Sequence, residues 1–352
     1  MKSLIGMVLM LALTPVALLL FFCRCAFADP FQATPLIDFT PGEKYLGAFP
    51  GLLYNGSNIL IPGSQHDLDG LAAAAEVQPL NAQGQPDSDG KIVVVGIGNS
   101  SWTMDLCVRV HHRDMTLPAC TAESFIAHAD AVDNPKVRIV DCANGGQTSD
   151  VWATDAFNNW SRCDVLLANE GLTLNQVQVM LYRDVYQLGA TVTLSPTTDC
   201  SQVTTLDQST PDACKYINAT GRIARFGKSW FPHLQQMFVH SAGYSGYHEG
   251  GEPFSYENGF AVKWFVQAQI DQVASGKIAN LDAGDLSYSV APWIAWGPYF
   301  WASGATPRSD GLTWLPSDYL PDMIHPSQSG VLKSTDLMMN FYFTSPYTAW
   351  MN

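Results

Sequence analysis

Lys91-Ile-Val-Val-Val-Gly-Ile-Gly98, running on into Asn99-Ser100-Ser101, is the stretch that decides the fold. A β-branched run with no polar break, ending in glycines, marks a strand buried on both faces. That is the pattern of a parallel sheet and not of a half-solvated antiparallel one. Further strands read at residues 137–140, 177–182 and 236–240, and the stretches 101–112, 148–159 and 259–273 suit helices. Strand–helix alternation predicts an α/β protein, a three-layer α/β/α sandwich around a central parallel sheet. Ligands of such sheets sit beyond the carboxyl ends of the strands. Residues 98–101, 144–148 and 183–187 would therefore share one rim.

The flanks divide the chain further. Residues 1–28 read as a signal peptide, with Lys2, an apolar run over 4–22 and an Ala26-Phe27-Ala28 cleavage site. The run is also long enough for a membrane anchor, and Cys23 is a candidate for lipidation. Cleavage near Ala28 would send the protein to the periplasm or outside the cell, with no stable membrane insertion. Residues 29–90 read as an extension packed on the main domain, with a helix over 64–77 and a polar turn over 84–90. Residues 91–352 form the main domain. No internal repeat appears.

Loss of residues 1–28 takes away Lys2 and Arg24 and no acid, so the net charge moves from −14 to −16. A surface this acidic repels nucleic acid and anionic membranes, which argues against both as partners. The sequence sets no oligomeric state. Six cysteines remain after cleavage, an even number in an exported chain. Sequential pairing predicts Cys107–Cys120, Cys142–Cys163 and Cys200–Cys214. No C-x-x-C pair occurs, so neither a metal nor another cofactor is expected.

Ser100 opens a helix at the end of a strand, where free backbone N–H groups stabilise an oxyanion. Taken alone, such a serine reads first as a plain helix N-cap. A second patch changes the weight of the first. Asp322-Met-Ile-His325-Pro326-Ser327 precedes a final helix over 331–343. A serine nucleophile needs a base, and the base needs an orienting carboxylate. The alternative is a loop shaped by Asp322 and Pro326.

Together these pieces resemble the SGNH/GDSL hydrolase superfamily over roughly residues 90–345. Its strand-then-G-x-S block matches Gly98-Asn99-Ser100. Its second block matches Gly146-Gln147-Thr148, and its D-x-x-H-P block matches Asp322 to Pro326. Ala291-Pro-Trp-Ile-Ala-Trp-Gly-Pro298 and Arg308-Ser-Asp-Gly-Leu-Thr-Trp314 look like a secreted bacterial branch of it. The resemblance implies a flavodoxin-like sandwich and a secreted serine esterase acting on acyl esters, acetyl esters of carbohydrate foremost. It makes Ser100 the nucleophile, His325 the base and Asp322 its orienter, with Ser101 as an alternative nucleophile. The N–H groups of Ser100 and Gly146 would bind the oxyanion. The superfamily's usual oxyanion Asn after the third strand is missing from Tyr182-Arg-Asp-Val-Tyr-Gln187, which leaves Tyr186, Gln187 or Asn144 as substitutes. That departure also leaves room for a non-catalytic carbohydrate-binding protein, and a lipase or polyester hydrolase is a third reading.

Aromatic side chains cluster late in the chain: Trp293, Trp296, Trp301 and Trp314, with Tyr244, Tyr247 and Tyr299. They read either as core or as a sugar-stacking platform. Tyr244, Trp296 and Arg308 are the candidate substrate contacts, although an ion pair with Asp310 also explains Arg308. His240 and Glu249, after the fourth strand, are further candidates. His111, His112 and Asp114 read as a surface cluster, and His66, Asp67 and Asp69 as a solvated helix start. N-x-S/T sequons stand at Asn55, Asn99, Asn159 and Asn218. A glycan on Asn99 would block Ser100, which favours a bacterial host.

Overall fold

A computed structural model describes residues 31–107, 120–155, 158–187, 189, 191–203 and 205–352. The expected signal peptide with Cys23 and the group His111, His112 and Asp114 lie outside the described residues. Five parallel strands build the core sheet: β1 (Ile92–Gly98), β2 (Val137–Asp141), β3 (Val177–Arg183), β4 (Gln236–His240) and β5 (Trp293–Trp296), in the order β2-β1-β3-β4-β5. Every residue of β1 and β3 is buried, as the unbroken apolar run required. Eight helices follow in chain order among the described residues: α1 (Gln65–Glu76), α2 (Ser100–Leu106), α3 (Phe125–Ala129), α4 (Ser149–Trp152), α5 (Asn159–Asn169), α6 (Asp212–Trp230), α7 (Phe254–Ser275) and α8 (Gln328–Tyr342). α2, α3 and α8 pack on one another, and α6 packs on both α4 and α7, so the sheet lies between two helical layers. The protein is a three-layer α/β/α sandwich. Its strand order is the flavodoxin-like one, in which the chain reverses direction across the sheet between β1 and β3.

Several expectations need correction. The helix expected over 101–112 begins at Ser100 and stops at Leu106, where Cys107 turns the chain. The single helix expected over 148–159 is two, α4 and α5, separated by residues that include Asp155 and Asn158 at positive φ. β5 was not expected, because Trp293-Ile-Ala-Trp296 is only four residues long and reads as an aromatic motif. α6 was not expected either. Gly221 and Gly227 interrupt its sequence, yet Gly221 is what lets the helix meet the Ala283 carbonyl, since a Cβ there would lie 2.1 Å from that oxygen.

Residues 31–352 make up one compact unit. The segment before β1 is tied to the sandwich by buried polar groups. Trp296 Nε1 donates to the Leu53 carbonyl at 2.8 Å, Lys263 Nζ to the Pro50 carbonyl at 2.7 Å, and the His66 ring meets the Ile294 carbonyl at 2.9 Å. His66 is thus buried, not solvated. Desolvation holds its imidazole down at about 4, so it stays neutral. Disulfides join Cys107 to Cys120, Cys142 to Cys163 and Cys200 to Cys214. No helix among the described residues is long and apolar enough to cross a membrane.

Candidate active site

β1 ends at Gly98, whose φ of +155° and whose missing side chain both matter: a Cβ would lie 2.0 Å from the Arg183 carbonyl. The close approach of β1 and β3 there sets Asn99 and Ser100 at the mouth of the sheet. Asn99 caps α2, its Oδ1 accepting from Ser101 N at 3.1 Å, while its Nδ2 donates to Asp184 Oδ1 at 2.9 Å. Ser100 is the first residue of α2, so its N–H has no place in the helix ladder.

From the other end of the chain comes the loop before α8. A reverse turn with Met323 at φ +57° folds residues 320–325 back on themselves, and Leu320 N donates to the His325 carbonyl at 2.8 Å. Asp322 Oδ1 accepts the backbone N–H groups of Ile324 and His325, each at 3.0 Å. Its Oδ2 lies 2.7 Å from His325 Nδ1, and His325 Nε2 lies 2.8 Å from Ser100 Oγ. Serine, imidazole and carboxylate therefore stand in line across 225 residues of sequence. Partial burial pushes the Asp322 carboxyl up, but the His325 ring and the two backbone donors outweigh it and hold it at about 2.

Ser100 borders a cavity of about 270 Å³ at the carboxyl ends of the strands, and Ile324 and Pro326, on either side of His325, also line it. Ser100, Ser101, Gly146, Tyr186 and Gln187 line it, as the common rim required. Gly146 turns at φ +71° and, like Ser100, has a backbone N–H without a partner among the described residues. Both residues line the same cavity.

Other candidates fall elsewhere. Asn144 is not in the cavity wall; its side chain donates to Asn159 Oδ1 at 2.7 Å. Trp296 is buried in β5, away from the cavity. Arg308 is 4 % exposed and fully spent, on Asp310 and on the carbonyls of Tyr299 and Trp301. His240 is core: its ring bonds the Tyr182 carbonyl and the Tyr342 hydroxyl, and burial lowers it to about 3. Glu249 is exposed and off the cavity. Of the aromatic cluster, only Tyr244 and Trp314 reach the cavity, while Trp293, Trp301 and Tyr299 are buried in the core. Tyr244 uses its hydroxyl on the Phe31 carbonyl at 3.1 Å. The sequon residue Asn159 is fully buried, which leaves no room for a glycan in this fold.

The sequence reading missed Asp184. It directly follows β3, is 1 % exposed and borders the cavity. Oδ1 accepts from Val185 N and Asn99 Nδ2, whereas Oδ2 has no partner. Burial drives its carboxyl well above the usual range, with the neighbouring Asp150 adding to the rise. The unbroken apolar run leading into Asp184 was the available signal, since a strand buried on both faces delivers its next residue into a dry place. Cys200, Cys214 and Asp282 lie together as metal ligands would, but both sulfurs are committed to a disulfide.

No protein-family model matches the chain, and no curated protein resembles it in sequence. Solved structures give remote likenesses. An extracellular lipase from Streptomyces rimosus is 14 % identical, over 71 % of this chain and 99 % of its own, with a TM-score of 0.33. A family two carbohydrate esterase from Cellvibrio japonicus is 14 % identical, over 76 % of this chain and 64 % of its own, with a TM-score of 0.36. The acetylxylan esterase Axe2 from Geobacillus stearothermophilus is 12 % identical, over 74 % and 96 %, at 0.36. At this distance the likenesses do not say what the chain does.

Proposed function

We propose that this protein is a secreted serine esterase of the SGNH/GDSL type that cleaves acyl esters, acetyl esters of carbohydrate foremost. One observation carries the proposal: Ser100 Oγ, the His325 ring and the Asp322 carboxylate are hydrogen-bonded in series at 2.8 and 2.7 Å beside a cavity. With Nδ1–H held by Asp322, His325 presents a bare Nε2 to the serine hydroxyl, the tautomer a general base needs. Nε2 takes the Ser100 proton as Oγ attacks the ester carbonyl carbon. The oxyanion that forms faces the free N–H groups of Ser100 and Gly146, each such donor contributing about 3 kcal/mol to the transition state. Collapse breaks the bond to the alcohol oxygen, which leaves with the proton from His325. Water then repeats the sequence on the acyl-serine and releases the carboxylic acid.

The modest cavity favours short acyl groups over long ones. The strong negative charge and the disulfides suit an exported enzyme. The test is hydrolysis of p-nitrophenyl acetate by wild type and Ser100→Ala, with a fluorophosphonate probe for the serine. Loss of at least about 10³-fold in kcat at an unchanged melting temperature supports the reading. Equal rates remove Ser100 from its role, and a wild-type serine inert to the probe points to a binding protein. Faster turnover of long-chain than of short-chain p-nitrophenyl esters would make the protein a lipase.

A further inference from the structure

The same cavity holds a charged group that the ester chemistry leaves unused. Arg183 ends β3 and is 9 % exposed. Its Nη1 donates to Asp105 of α2, and its Nε donates to the Ser241 carbonyl at 3.1 Å. The guanidinium lies on the Phe300 ring, with Cζ 4.5 Å from the centroid. Among the described residues Nη2 alone has no hydrogen-bond partner, and it is not sealed in the core. Arg183 and Gly243 both line the cavity, and a Cβ on Gly243 would stand 3.2 Å from Nη2. The absent side chain is what keeps that nitrogen open.

A donor fixed in this way loses little freedom when a ligand arrives. Left unbonded in a poorly solvated place it is costly, so an acceptor that fills it gains the full bond. The charge already present selects the acceptor. Asp105 neutralises the guanidinium, so a carboxylate would leave the buried trio net negative, whereas an uncharged oxygen leaves the pair balanced. Ser101, Tyr319 and Ser334 add polar groups to the same lining.

We propose that Arg183 Nη2 and the gap at Gly243 form a subsite for a neutral alcohol oxygen of the substrate. The subsite rests on the esterase reading for its purpose, not for its existence. The hydroxyl can belong to the acyl half or to the alcohol half of the ester, and two matched pairs separate these. p-Nitrophenyl 3-hydroxybutyrate against p-nitrophenyl butyrate reports the acyl half. 2-Hydroxyethyl acetate against propyl acetate reports the alcohol half.

Replacing Arg183 would strand Asp105 and risk the fold, so the variant of choice is Gly243→Ala. Its backbone is not left-handed, and alanine fits it while crowding Nη2. Wild type is expected to favour the hydroxylated member of one pair about tenfold in kcat/KM, the size of one hydrogen bond to a charged donor. In Gly243→Ala that ratio falls to near one. In parallel, the arginine side-chain ¹⁵N signals are followed in Ser100→Ala as each ester is added. One guanidinium signal is expected to move with the hydroxylated ester, not with its alkyl partner, and to stay still in Ser100→Ala/Gly243→Ala. A wild-type ratio near one in both pairs, a ratio unchanged by Gly243→Ala, or preference for p-nitrophenyl hemisuccinate over the hydroxylated ester overturns the subsite while leaving the esterase intact. If no ester is hydrolysed, the esterase reading fails and the ¹⁵N shifts alone decide the subsite, their presence supporting it and their absence overturning it.

Discussion

Asp322 is the residue with the most to do per atom. One oxygen orients the imidazole and the other holds the loop on which that imidazole rides. Asp322→Asn keeps the shape and loses the charge, and the amide can donate to Nδ1, which favours the wrong tautomer. We expect kcat on p-nitrophenyl acetate to fall by roughly 10³–10⁴-fold with little change in melting temperature. The contact between Asp322 and His325 is substantially exposed, so its share in folding is below about 1 kcal/mol. That share is present above the ordinary carboxylate range and is lost only as pH falls through about 2. Asp184 behaves in the opposite sense. Its carboxyl is pushed up by burial, so folding favours the protonated form, and stability drains away as pH rises above the ordinary carboxylate range. Asp184→Asn copies the neutral acid. Its melting temperature should match wild type near pH 4 and exceed it at pH 8; a variant that is less stable at both pH values would show that the proton is not what matters.

Between the residue and the molecule stands the loop that carries the base. Asp318 anchors it: a carboxylate 2 % exposed accepts from Leu315 N at 2.7 Å, Ser329 Oγ at 2.8 Å and Lys333 Nζ at 2.5 Å, tying the loop to α8. Asp318→Ala removes three hydrogen bonds and leaves Leu315 N without its acceptor, and denaturant unfolding should register a loss of about 2–3 kcal/mol. At this scale the sequence was partly legible. The strands β1 to β4 could be read because each is a short apolar run, and Asp322-x-x-His325 because both groups sit on one turn. What escaped was set by distant contacts. β5 exists because β4 offers it an edge, α6 because Ala283 receives Gly221, and Trp296 is buried because the Leu53 carbonyl, far along the chain, accepts its N–H. No local pattern announces an acceptor that lies hundreds of residues away.

For the molecule as a whole, buried acids set the stability profile. Burial lifts Asp105 and Asp133 to about 6 and Glu252, Glu257 and Asp282 to about 7. Each gives its full share of stability below the ordinary carboxylate range and loses it as pH climbs through its raised value. His66 and His240, held neutral, cost stability as pH falls below their ordinary range, but the acids outnumber them. The melting temperature should therefore be higher at pH 5 than at pH 8, and a scan of buffers with calorimetry checks it; a profile rising toward pH 8 would refute the balance. The Cys142–Cys163 bridge ties the end of β2 to α5. Cys142→Ala/Cys163→Ala should lose about 3 kcal/mol by the chain-entropy account. The rim itself was legible from strand order alone, whereas Asp184 and Arg183 were not, because their roles depend on what is missing around them.

The 225 residues between Ser100 and His325 have a consequence for synthesis. The alcohol leaves the ribosome long before its imidazole. However well the sheet has begun to form, a polypeptide that stops short of residue 325 lacks the base of the proposed triad, so on the esterase reading no hydrolysis by Ser100 starts inside the producing cell until that residue has been made.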